Sequence, residues 1–203
     1  LGDVPCVYLG SNHGPDCSYV EADNARGAYE AAQYLHLLGH REIAFLGGRQ
    51  GTRTLEQRLA GYRRSMTLNG RPCREITWAG EESGLLQWCG EQAEELFRSG
   101  ERPDAVLAYS DMAAVKILEA AEVCGLRIPE DLSLIGFDNI SFGGLPQMEL
   151  TTVSQKKFRA GRLAVDRLLK KTGGENIQTR DVLQPELIIR STCRKREAQE
   201  GIS

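Results

Sequence analysis

Two carboxylates in this sequence stand directly after apolar runs: Asp111 follows AVLAYS (105–110), and Asp138 follows LSLIGF (132–137). Paired acids are the working groups of general acid–base and glycoside chemistry. No histidine stands near them, and neither a nucleophile motif nor a metal-ligand cluster accompanies them, so a ligand grip accounts for both acids with fewer parts. Each also has a plainer use. Asp138 is a good turn former, and Asp111 or Ser110 is a good helix N-cap. A third group, Arg58, sits on an apolar helix face made by Leu55, Leu59, Tyr62 and Met66. Its five donors cannot be left dry there, which calls for an acid partner or a ligand. The other reading packs the stem and lets the head reach water. Spacing alone leaves both open.

Other arrangements carry less. His36 and His40 have the spacing of a zinc pair on one helix face, but Gly39 ends the helix between them and no third ligand is evident. Gly47-Gly48-Arg49-Gln50-Gly51 lies between a strand and a helix without matching either phosphate-loop pattern. Asn139-Ile140-Ser141 is a formal glycosylation sequon. The basic stretch Arg190–Arg196 is followed by Glu197 and Glu200 and reads as a solvated end.

The elements that position these residues alternate. Strands are expected at Cys6–Gly10, Arg41–Gly48, Ile76–Ala79, Ala105–Ser110, Leu132–Phe137 and Thr151–Ser154, with an extended stretch at Val182–Arg190. Helices are expected from Asp23-Asn24 to Leu38, then over Thr54–Leu68, Gly84–Arg98, Asp111–Cys124 and Lys157–Lys171, with a Gly/Pro loop at Ser141–Pro146. In the last helix Phe158, Gly161, Val165 and Leu168 read as its core face. Near-continuous apolar strands separated by helices imply an α/β fold with a doubly wound parallel sheet. Ligands of such sheets bind beyond the carboxyl ends of the strands, where Gly47-Gly48, Ser110-Asp111 and Asp138-Asn139 converge.

Composition sets bounds. The chain of 203 residues is 41% hydrophobic and 26% charged, with a formal net charge of −3, so nothing in its overall charge draws it to nucleic acid. No apolar run approaches the roughly 20 residues of a membrane span. The six cysteines are scattered without a C-x-x-C pair, which reads as reduced thiols in a cytoplasmic protein. A start at Leu1 reads as a non-native terminus.

ADNARGAYEAAQYLHLLGHREIAFLGG (22–48), QRLAGY (57–62), PDAVLAYSDMAAVKILEAAEVCGLRIPEDLSLIGFDNI (103–140), LTTVSQ (150–155) and PELIIRST (185–192) occur in an order and spacing that resemble the effector-binding domain of the LacI/GalR (lac repressor/galactose repressor) family of transcription regulators. The likeness covers about residues 4–192 and implies a two-lobed, periplasmic-binding-protein-like fold. Residues 1–23 and 150–183 are then a remnant of the N-terminal lobe, 24–149 and 184–193 the C-terminal lobe, and 194–203 a tail. It further implies a homodimer, with the helix Lys157–Lys171 as an alternative dimer surface to the core face read from its spacing, a small polar effector (a sugar, sugar derivative or purine) and operator DNA reached through a helix-turn-helix head upstream of Leu1. No cofactor, metal, membrane contact or catalysis is implied. By matching positions, Arg58 and Asp138 grip the ligand, Ser110-Asp111 replaces the family's usual Asn-Asp, Asp23 marks the lobe crossing, and Trp78 stands in for a stacking aromatic. Replacing Asp138 by alanine is then expected to weaken binding while leaving stability nearly unchanged. The rivals are a periplasmic sugar-binding protein of the same fold and an α/β enzyme using Asp111 and Asp138.

Overall fold

The computed structural model describes residues 4–11, 14, 16–141, 149–174 and 178–196. Nine strands and five helices among them run in the order β1 (Tyr8–Leu9), β2 (Tyr19–Ala22), α1 (Asn24–Leu37), β3 (Ile43–Arg49), α2 (Arg53–Leu68), β4 (Arg74–Trp78), α3 (Leu85–Arg98), β5 (Ala105–Ala108), α4 (Asp111–Val123), β6 (Ser133–Phe137), β7 (Thr151–Ser154), α5 (Lys157–Thr172), β8 (Arg180–Leu183) and β9 (Glu186–Ile188). The large sheet has the order β4-β3-β5-β6-β7-β9 and the small one β1-β2-β8. All neighbouring pairs are parallel except β7 with β9. The expected α/β, parallel-dominated architecture is present.

Strand alternation produces the two covered faces. Ile43, Phe45, Ala105, Leu107, Ile135 and Phe137 point to the layer of α1 and α2. Their sequence neighbours Ala44, Leu46, Val106, Ala108 and Leu134 point to the layer of α3 and α4. Successive side chains of a strand face opposite sides, so a sheet clothed on both sides needs apolar residues at every position. The helices of the first layer touch closely. A Cβ at Gly61 would lie 1.9 Å from the Ala25 carbonyl oxygen, so only glycine admits that crossing.

Several expectations need correction. Strand β2 carries no strong apolar pattern and was not expected, although Val20 is fully buried. The extended stretch Val182–Arg190 divides between the two sheets as β8 and β9. Thr151–Ser154, expected with the small-lobe block 150–183, belongs to the large sheet, because Thr151, Thr152 and Val153 pair with Ile135, Gly136 and Phe137 of β6. On α5 the packed side chains are Ala160, Leu163 and Ala164, and Phe158 is 99% exposed. The Gly/Pro loop expected at Ser141–Pro146 lies, beyond Ser141, outside the described residues, as does the tail from Glu197 on. No helix among the described residues is long and apolar enough to cross a membrane.

Candidate effector site

The chain leaves β3 in one direction to form β4 and returns past β3 to form β5. A doubly wound sheet opens a crevice at the carboxyl edge of such a switch point. Three elements deliver side chains there: α2 after β3, the residue after β5, and the residue after β6.

Arg58, on α2, is only 3% exposed. Its Nε donates to Asn24 Oδ1 at 3.0 Å, Nη1 donates to the Tyr109 carbonyl, and Nη2 lies 3.4 Å from Asp138 Oδ1. The guanidinium carbon stands 3.7 Å from the Phe137 ring centroid and 4.8 Å from that of Tyr109. Cation–π contact and the carboxylate together make a buried charge tolerable. Burial pulls the Arg58 guanidinium below its usual value, and Asp138 is the strongest opposing influence. The packed-stem, wet-head reading is thus replaced by a buried head in which each of the three nitrogens has a protein partner.

Asp138 follows β6 with φ 121°, outside the wells that a residue with a side chain prefers. The surroundings hold it there: its N–H donates to the Val153 carbonyl at 2.8 Å, while Oδ1 accepts from both Arg58 and Gln155 Nε2. Among the described residues nothing donates to Oδ2, and the side chain is 22% exposed. One carboxylate oxygen is therefore filled by protein and the other is open.

The remaining candidates are placed otherwise. Asp111 is 1% exposed, and both its oxygens are spent, Oδ1 on the Thr152 hydroxyl at 2.5 Å and Oδ2 on the Ile140 N–H at 2.8 Å. Burial raises its carboxyl above the usual range against those two bonds. Ser110 caps α4 through the Ala113 N–H, and Asp23 caps α1 through the Arg26 N–H. Trp78 donates to the Glu81 carbonyl and lies tilted against Trp88, ring centroids 5.2 Å apart. The imidazoles of His36 and His40 face the His40 and Arg194 carbonyls.

The sequence matches the family model of the periplasmic binding protein-like domain over residues 32–193. The chain belongs to that family. Within it the chain is of the LacI/GalR type. It is 32% identical over 197 residues to the HTH-type transcriptional repressor PurR of Vibrio campbellii, covering 95% of this chain and 58% of that protein. The chain thus spans little more than half the length of such relatives. A LacI-family regulatory protein from Chloroflexus aggregans superposes with a TM-score of 0.82 at 31% identity, covering 93% of this chain and 68% of that one. A LacI transcriptional regulator from a Rhodococcus species gives 0.83 at 27% identity, over 96% and 71%.

In this LacI/GalR-type domain, Asn24, Tyr109, Phe137 and Gln155 were missed by sequence reasoning. Asn24 also reaches Ser11 and Gln57, so the shell behind Arg58 joins its own helix to two segments distant in sequence. Phe137 carries the one signal that was available, an aromatic directly before the acid.

Proposed function

We propose that this domain binds a small polar effector, a sugar or similar molecule, through Asp138 and Arg58 at the carboxyl rim of the large sheet. The Asp138 oxygen that no described residue donates to, beside an Arg58 held by Asn24 and Tyr109, is the observation that carries the reading. A carboxylate fixed by a guanidinium accepts ligand hydroxyls by charge-assisted bonds, each worth about 1.5–3 kcal/mol. Ser110, Asp111 and Asp23 frame the rim by capping and internal bonds, and Trp78 offers an apolar edge. Relatives are named HTH-type transcriptional repressors, and in this reading binding is relayed to operator DNA by a separate DNA-binding head. A ligand that prefers one lobe arrangement shifts the population, and by linkage alters operator affinity by the same factor. The chain is read as a regulator, not an enzyme, because the acids carry no nucleophile or proton-shuttling partner. The two-fold dimer of the proposal places two DNA heads on paired half-sites.

The test is a thermal-shift screen of sugars, sugar phosphates and purine bases on the full-length protein and on Asp138→Asn. A true effector at a hundredfold excess over Kd stabilises the protein by about 2.7 kcal/mol. At least one compound should raise the Tm of the native protein, and the shift should shrink in Asp138→Asn. An effector that shifts both proteins equally would remove Asp138 from the site.

A further inference from the structure

Six cysteines are present, and four of them are spread through or around the large sheet. Burial pushes the Cys89 thiol up to about 12 and the Cys193 thiol up to about 11, which leaves both as inert core thiols. Cys73, just before β4, is exposed, and Cys124, at the end of α4, is half-buried.

Cys6 and Cys17 differ. Strands β1 and β2 pair in parallel with Tyr8 opposite Tyr19 and Leu9 opposite Val20. Cys6 and Cys17 each stand two residues before that first pair, outside the strands: the Tyr8 N–H bond to the Ser18 carbonyl at 2.9 Å opens the ladder, and the Cys17 N–H turns to the Gly14 carbonyl at 3.4 Å. The same step of two on both chains brings the two cysteines to the same end of the pair, and continued in extended form it would put both thiols on the face that carries Tyr8. Tyr8 reports the cluster: the proximity of Cys17, and then of Cys6, holds its phenol above the ordinary value. Neighbouring strands lie about 4.8 Å apart, within the Cα separation that a disulfide spans. Both residues stand just before the paired strand residues, where the backbone can adjust to the torsion of an S–S bond.

We propose that Cys6 and Cys17 form an oxidation site that closes an intramolecular disulfide across the mouth of β1 and β2. With hydrogen peroxide as the oxidant, the exposed Cys6 thiol gives up its proton as its sulfur attacks one peroxide oxygen; the O–O bond breaks, and the departing hydroxide takes that proton as water, leaving a sulfenic acid. The Cys17 sulfur then attacks the sulfenic sulfur, and hydroxide leaves and takes the thiol proton as a second water. Two thiols and one peroxide become one disulfide and two waters. The bond closes the connection that contains Ser11, whose hydroxyl accepts from Asn24, which in turn accepts from Arg58. The oxidation site is thereby two hydrogen bonds from the candidate effector site.

The experiment treats the native full-length protein with stoichiometric hydrogen peroxide under non-denaturing conditions, blocks remaining thiols and maps peptides by mass spectrometry. The expected product is a monomeric chain in which the Cys6 and Cys17 peptides are joined. The link should vanish in Cys6→Ser and in Cys17→Ser and persist in Cys73→Ser, an exposed-thiol control. Sulfinic acid on Cys6 with Cys17 unmodified, a Cys6–Cys6 bond between two chains, or two unreacted thiols would each overturn the assignment.

Discussion

The two ends of the large sheet both hold a carboxylate beside an arginine, and they use it in opposite ways. At the amino end, Asp104 accepts the Arg41 and Glu42 amides on separate oxygens and pairs with Arg196. The imidazole of His40 lies 3.5 Å away, an ion pair whenever the ring is protonated. At the carboxyl end, Asp138 concentrates its protein bonds on one oxygen and leaves the other open. A satisfied carboxylate is a fastener, and a half-satisfied one at a rim still has an oxygen to offer a donor. The basic stretch expected to be a solvated end is part of the fastener: the Arg196 N–H donates to the Leu38 carbonyl at 2.7 Å and the Arg194 N–H to Ser133 Oγ at 3.2 Å.

The sharpest way to break this contrast is Arg58→Ala. It strands Asp138 and Asn24 and empties the slot between Phe137 and Tyr109, so urea denaturation should show a loss of about 3–5 kcal/mol. A loss below about 1 kcal/mol would mean the buried guanidinium is not holding the rim together.

Asp138→Ala comes next. Effector affinity should fall at least roughly tenfold, or about 1.4 kcal/mol, measured by calorimetry with whichever compound the screen returns. The earlier expectation of unchanged stability no longer holds. Arg58 loses its counter-charge while buried, so unfolding should also become easier by about 2 kcal/mol. Unchanged affinity would make Asp138 a second fastener and abolish the contrast.

Acid titration sharpens it from the other end. Burial alone would raise the Asp104 carboxyl, but the adjacent His40 imidazole, the bonds from the two amides and the charge of Arg196 hold it below the usual range. Its stabilisation is therefore complete above the unfolded value of about 3.9 and lost as pH falls through the lower folded value. Asp111, raised by burial, has the opposite sign and costs stability as pH climbs from about 3.9 toward its folded value. Asp104→Asn should cost about 1–2 kcal/mol near neutral pH and lose less of its remaining stability than the native protein below about pH 4. Parallel acid-denaturation curves would contradict the assignment.

The smallest effect belongs to Asp23→Ala, which removes the α1 cap for about 1 kcal/mol and should leave effector affinity within a factor of about two. A large loss of affinity would show that the lobe crossing contacts the ligand directly.

Much of the framework was legible because periodicity is a local property. The apolar face of Leu55, Leu59, Tyr62 and Met66 is buried as spacing implies, and strand β7 matches its expected bounds. Errors fell where local pattern competes with long-range pairing. Phe158 and Val165 suited a core face by spacing, yet the small sheet receives Ala160, Leu163 and Ala164 instead. Strand β2, YVEA, acquires its identity from β1 and β8 on either side of it.

What the sequence by itself determined is the inventory: an α/β alternation, a family likeness, and an arginine placed on an apolar face where it had to find a partner. It could not say which of the acids at the rim would be that partner. Asp111 and Asp138 follow strands in the same way, but only packing filled both oxygens of the first and one of the second. Tertiary structure decided this because hydrogen-bond satisfaction depends on distance, and donors such as Thr152, Ile140 and Gln155 reach these acids only after β6 and β7 have paired.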